Sequence, residues 1–289
     1  MATVGGEDLR AVLERIYRRY NQRRFIGSDP LQFAYRYSDA RDLEVVAFLA
    51  AALAYGRVQQ IHKSLEELFA IMGKSPHDFV AGFSSSGRRQ LSGFKHRFTR
   101  GDDVADLLQL LRDVLREHGS LQRFFLKGYE RAQSNVLPAL ARFCDTLCSR
   151  YAARHGGRVS RGLMYLLASP SRGSAGKRLN LFLRWMIRDD AVDLRLWSGV
   201  DKAKLIVPVD VHMGRLCRFL GLYDGQTVNL STAVQITQAF ARIERADPVK
   251  YDFALSRIGI VDDCTGRRRA ACDTCELCGM CRQRKDWTE

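Results

Sequence analysis

Long apolar runs are missing from this 289-residue sequence: the longest candidate, Val45 to Leu53, falls far short of the roughly 20 residues needed to cross a bilayer. An N-terminal apolar segment of signal-peptide form is missing too, so the expectation is a soluble, cytoplasmic chain with no membrane partner. No internal repeat and no sustained low-complexity segment interrupts it, and its length suffices for a full core divided into two lobes. Acidic charge is in short supply. Against 46 Lys and Arg stand 32 Asp and Glu, giving a formal charge of +14 and a broad positive potential at neutral pH. A polyanion is the expected partner, although charge by itself does not separate duplex DNA from RNA or an anionic membrane face.

Strand patterns are equally scarce; the one extended feature is Val207, pushed from helical angles by Pro208. Apolar residues instead recur at helical spacing, as in Val104, Leu107, Leu108, Leu111 and Leu115, and the fold class is read as all-α. Asp29-Pro30 and Ser75-Pro76 each place a capping residue before a proline suited to a first helical turn. Loops are expected at Ser84 to Arg89, Gly156-Gly157, Ala168 to Gly176 and Gly221 to Asn229. The charged break Arg188-Asp189-Asp190 is read as the crossing between lobes.

Five of the eight cysteines, Cys264, Cys272, Cys275, Cys278 and Cys281, crowd the C-terminal tail without an export signal, which is metal-site usage rather than a disulfide framework. Zinc sites also use Cys-x2-Cys pairs, but a zinc ribbon keeps its pairs farther apart, so an iron-sulfur cluster fits the crowding better. Four ligands must be chosen from five thiols. Cys144, Cys148 and Cys217 fall on apolar helical faces and are expected in the core.

In Val207-Pro208-Val209-Asp210-Val211-His212, Asp210 stands where an N-cap belongs; a carboxylate there feels the positive helix end and stays ionised at neutral pH. Capping alone would account for it. Upstream, Ser169 to Gly176 is a small-residue turn opening into an amphipathic helix over Arg178 to Arg188, which puts Lys177 near another helix N-terminus. That position, beside Arg172 and Arg178, makes Lys177 a candidate nucleophile, and the ordinary alternative is a phosphate-binding or solvated lysine. A Walker loop is excluded, because Ser171 replaces the first glycine and Arg178 the magnesium-holding hydroxyl residue.

The glycine-bearing turn ending in Lys177, the Pro-Val-Asp210-Val-His segment and the tail cysteines together resemble the helix-hairpin-helix DNA glycosylases, the superfamily of endonuclease III and the oxidised-guanine glycosylases. Asp29-Pro30-Leu31, Ala54-Tyr55-Gly56-Arg57 and Gly173 to Met186 more closely resemble an uncharacterised bacterial family of that type. The resemblance implies an all-α, two-lobed helix-hairpin-helix DNA glycosylase fold, with residues 41–190 as a central lobe. Residues 1–40 and 191–289 would form the second lobe, bearing the catalytic aspartate and the cluster loop. Lys177 would attack the deoxyribose that carries a damaged base, with an oxidised purine as the expected lesion, while Asp210 stabilises the cationic sugar, with abasic-site lyase activity through the imine.

The implied cofactor is a 4Fe-4S cluster on Cys264, Cys272, Cys275 and Cys281, with Cys278 as alternative ligand. The implied partner is double-stranded DNA bearing a damaged base or abasic site, bound by a monomer that would associate with the nucleoid. Main-chain N–H groups of the Gly173 to Lys177 hairpin, Gly176 included, would receive phosphate, with Arg172 and Arg178 neutralising its charge. The chain departs from the family in three places. Gly173-Ser-Ala-Gly176-Lys177 stands for Gly-x-Gly-x-Lys; Asp189 to Lys204 is an insertion expected to loop out; and Gly56-Arg57 replaces a gap-filling glutamine, leaving Arg57 as the wedge candidate. Tyr55, Trp185, Trp197 and Phe253 are aromatic candidates for the base pocket, each with core packing as its alternative. Two other functions fit the same residues: a noncatalytic nucleic-acid-binding protein on this scaffold, and a glycosidase acting on a modified base in RNA.

Overall fold

The computed structural model describes residues 3–4, 7–260 and 264–286. Among the described residues the fold is all-α apart from two minimal hairpins, β1 (Thr3–Val4) with β2 (Glu7–Asp8) and β3 (Lys95–His96) with β4 (Thr99–Arg100). The first half of the chain supplies α1 (Leu9–Tyr20), α2 (Ala40–Ala52), α3 (Val58–Met72), α4 (Pro76–Ala81), α5 (Ser85–Gln90), α6 (Gly101–His118), α7 (Leu121–Leu126) and α8 (Leu137–Arg154). The second half supplies α9 (Arg161–Leu166), α10 (Lys177–Ile187), α11 (Val211–Phe219), α12 (Leu230–Ile243) and α13 (Asp252–Ile260). No helix among the described residues is long and apolar enough to cross a membrane.

Caps set several of the starts. Ser75 accepts from the Asp78 N–H before Pro76, and Asp29 accepts from the Leu31 N–H before the 3-10 turn Pro30–Arg36. Ser84 to Arg89, expected as a loop, is mostly the short helix α5. Its serine-rich composition is overridden from outside, by Arg88 pairing with Asp106 at 2.6 Å and by Gly87 burying against Phe83.

At the centre lies α10. It packs on the alanine-rich α2, where Phe182 meets Phe48 edge to face at 5.2 Å. An amphipathic helix is expected here, yet Arg178 through Ile187 are all buried. The cause is the segment 189–204, which does not loop out but closes over the helix: Leu194 N–H donates to Trp185 O, Trp197 N–H donates to Met186 O, and Trp197 packs on Phe182. The Trp197 indole N–H ends on the buried carboxylate of Glu44 at 2.7 Å, which also accepts from the Leu121 and Gln122 N–H groups at the start of α7.

The charged break at 188–190 is likewise no free crossing. Arg188 is buried and pairs with Asp190, Asp193 and Asp247 at 2.6, 2.5 and 2.9 Å, while Arg184 pairs with Asp193 and Asp252. Buried guanidinium groups are tolerated because each finds carboxylates at hydrogen-bond range. Tyr17 of α1 reaches Asp190, and Tyr35 donates to Val192 O, so this network ties the chain's beginning to the end of α10. α1 packs on α13 and α13 on α11, whereas the Pro30–Arg36 turn packs on α2.

Candidate functional site

Two helix N-termini converge on one point. Before α10 the chain makes a 3-10 turn (Pro170–Arg172) capped by Ser169, then passes through Gly173 (φ 77°) and Gly176 (φ 59°), left-handed positions where a side chain would strain the backbone. Lys177 is then the first helical residue. Asp210 is the N-cap of α11, with Oδ1 accepting from the Met213 N–H at 2.9 Å. Its Oδ2 lies 3.1 Å from Lys177 Nζ, and each side chain of the pair is 34% exposed. Burial pushes the Asp210 carboxyl up, but the Lys177 ammonium, the Met213 N–H and His212 outweigh it, and its pKa is lowered.

The pair lies at the junction of two hollows. An open cleft of about 870 Å³ runs along Ala54 to Gly56, the Ala168 to Leu179 turn and the start of α11. Arg161, Arg172, Lys177 and Arg178 line it against one acid, Asp210. A deeper cavity of about 190 Å³ shares Tyr55, Lys177, Asp210 and His212 and continues to His62, Asp252 and Arg257. There Arg257 faces Asp29 at 3.4 Å and Asp252 pairs with Arg184; burial raises the Asp252 carboxyl more than Arg184 lowers it. His62, Tyr165, Asp252 and Arg257 were invisible to motif reasoning. The available signal was charge inside apolar helical runs, as at Arg184 and Arg257.

The nucleic-acid candidates separate. Arg172, Gly173 and Gly176 line the open cleft, with Arg172 and Gly173 exposed. Arg178 also borders it but is 8% exposed, stacked over Tyr55 and Tyr165, with its guanidinium donating to Ala52 O and Tyr165 O. That is a correction to its expected role: Arg178 braces the cleft wall and presents little charge outward. Arg57 is exposed at the N-cap of α3, outside the cleft lining. Of the aromatic candidates, Trp185, Trp197 and Phe253 are core, and Tyr55 lines both hollows.

All five tail cysteines, Cys264, Cys272, Cys275, Cys278 and Cys281, line one small cavity walled by Leu216, Phe219, Leu220 and Ile258 of α11, its C-terminal end and α13. Among the described residues no three Cys, His, Asp or Glu side chains stand as a metal-holding group. Burial pushes the Cys275 thiol up to about 11 and raises that of Cys281. Cys144, Cys148 and Cys217 are buried in the core, as their helical positions imply. Arg215 joins the tail to the site: its Nη2 donates to Cys264 O and lies 3.2 Å from His212 Nδ1.

Fold and site thus define an all-α protein with a lysine–aspartate pair held between two helix N-termini in a basic cleft. The chain belongs to the DUF2400 family, described as a protein of unknown function, which matches residues 29–261. No curated protein and no solved structure is matched by the chain.

Proposed function

We propose that the protein is a DNA glycosylase of the helix-hairpin-helix type with abasic-site lyase activity, acting on a damaged base in duplex DNA. The observation that carries this reading is the contact of Lys177 Nζ with Asp210 Oδ2 at the mouth of a polar cavity opening from a basic cleft. The turn through Gly173 and Gly176 is read as the hairpin, its N–H groups and Arg172 receiving backbone phosphates. An extruded nucleotide would place its sugar at Lys177 and its base in the deeper cavity.

In this chemistry the Asp210 carboxylate takes a proton from the Lys177 ammonium. The freed amine attacks C1′ as the bond from C1′ to the base nitrogen breaks; the base leaves with the bonding pair and takes the proton that Asp210 holds, which returns the carboxylate to its ionised form. A proton moves from the attacking nitrogen to the ring oxygen as the C1′–O4′ bond breaks, giving a protonated imine on Nζ; loss of a C2′ proton to solvent then expels the 3′ phosphate and cleaves the strand. Ionised again once its proton has passed to the base, Asp210 lies between two positive helix ends and offsets the positive charge on the sugar.

The tail is read as the site of a 4Fe-4S cluster held by Cys264, Cys272, Cys275 and Cys281, with Cys278 as the alternative ligand. What supports it is that all five thiols line one apolar-walled cavity and are soft donors of the type such a cluster takes. Such a cluster would pin the tail under α11, and Arg215 would carry that order to His212.

Base release from duplexes carrying single lesions, beginning with oxidised guanine, tests the reading. Release that disappears with Lys177→Gln supports it. Absence of release and of strand cleavage across oxidised, alkylated and deaminated bases, in protein that binds the duplex, contradicts it.

A further inference from the structure

Among the described residues three large apolar side chains are exposed: Phe98, Val211 and Val228. Scattered exposed apolar residues are ordinary on a protein surface, but each of these lines the open cleft or packs on residues that do. Val211 and Val228 line the open cleft, and Phe98 stacks on Tyr55 (5.2 Å between ring centroids) and meets Tyr165 edge-on (4.5 Å), both cleft residues.

Phe98 is 54% exposed yet rigidly mounted. It sits at the tip of the β3–β4 hairpin after Arg97, whose φ of 55° is unusual for a residue with a side chain. The flanking His96 and Thr99 are wholly buried. Tyr55 Oη lies 3.0 Å from His96 O and 2.6 Å from Thr99 Oγ1, and the His96 ring is fixed by Tyr55 O at 3.0 Å and Ser64 Oγ at 2.9 Å. The Arg97 side chain crosses directly over Gly56, where a Cβ would come within 2.7 Å of Arg97 Cδ. Around the tip, Lys95, Arg97 and Arg100 are exposed.

We propose that Phe98 is a base-stacking wedge, entering the DNA stack to fill the space vacated by a nucleotide that turns into the cleft toward Lys177 and Asp210. The inference rests on the reading that this site acts on an extruded nucleotide. A flat apolar ring within a basic rim matches an aromatic base on a polyanion, and an already ordered ring loses little freedom on insertion. The wedge role falls to Phe98 rather than to Arg57 on the neighbouring turn. Since unstacking is easiest where pairing is already weak, the favoured substrate class is duplex opened locally by a lesion, mismatch or abasic site.

The test uses the full chain carrying Lys177→Ala, so that no chemistry is needed, and a duplex with a tetrahydrofuran abasic analogue opposite 2-aminopurine. The expected result is a change in 2-aminopurine emission on binding that is lost with Phe98→Ala and kept with Phe98→Trp. Phe98→Ala should also weaken binding to this duplex about tenfold, with undamaged duplex hardly affected. An emission change and affinity unaltered by Phe98→Ala, or no emission change with any variant, overturns the wedge. If the emission change depends on Phe98 while wild-type protein forms no lysine adduct on abasic DNA, the wedge stands and the lyase reading falls. An adduct with a Phe98-independent emission change means the reverse.

Discussion

Lys177 Nζ and Asp210 Oδ2 lie 3.1 Å apart although 33 positions separate the residues in the chain. At one-third exposure such a pair adds about 1 kcal/mol or less to stability. Its placement between the first turns of α10 and α11, facing a cavity, is the arrangement the proposed chemistry requires. Asn is as good an N-cap as Asp, so Asp210→Asn removes the charge while keeping the cap.

Arg172 and Arg178 should part company under mutation. Arg178→Ala leaves Ala52 O and Tyr165 O without their buried donor and is expected to cost about 2–4 kcal/mol in urea unfolding. Arg172→Ala should alter stability little, lower duplex affinity, and reduce the slope of log affinity against log salt by about 1.

Part of the site was legible because it is local. Gly173, Gly176 and the caps at Ser169 and Asp210 act on backbone within a few residues, and the sequence states that chemistry directly. Arg178 was misread for a geometric reason: at 3.6 residues per turn, the next residue after Lys177 points about 100° away, here into the wall between Tyr55 and Tyr165. Segment 189–204 looks like a solvated insertion until Val192 and Trp197 meet the face of α10, and Phe98 gains meaning only once Tyr55 and Tyr165 stand beside it. These are tertiary facts with no local signature.

Stability should fall in acid through Asp190. Burial raises its carboxyl, but Arg188 and the Asp193 and Val192 N–H groups bring it down to about 2 from an ordinary 3.8. With the folded value below the unfolded one, the contribution is fully present above 3.8 and is lost as pH falls toward 2; its size is about 2 kcal/mol. Urea midpoints at pH 7 and pH 3 should draw together in Asp190→Asn relative to wild type, which remains the more stable at pH 7.

Glu44 holds the start of α7 and the inserted segment at once. Glu44→Ala strips the acceptor from the buried Leu121 N–H, the half-buried Gln122 N–H and the Trp197 indole and should cost about 3–5 kcal/mol, with Trp197 emission shifting on loss of its hydrogen bond. Denaturant melts followed by fluorescence check both.

For the tail, protein purified without oxygen should be brown with broad visible absorbance and about four iron per chain. Cys275→Ser is expected to bleach it, and Cys278→Ser to leave the colour. Colourless protein with stoichiometric zinc would replace the cluster with a zinc site.

Borohydride trapping on duplex DNA containing an abasic site tests the central claim most directly. Wild-type protein should form a covalent adduct, Lys177→Ala none, and Asp210→Asn a much slower one despite near-native stability. An adduct that persists in Lys177→Ala, or none with wild-type protein bound to the same duplex, would contradict the assignment of Lys177 as the nucleophile.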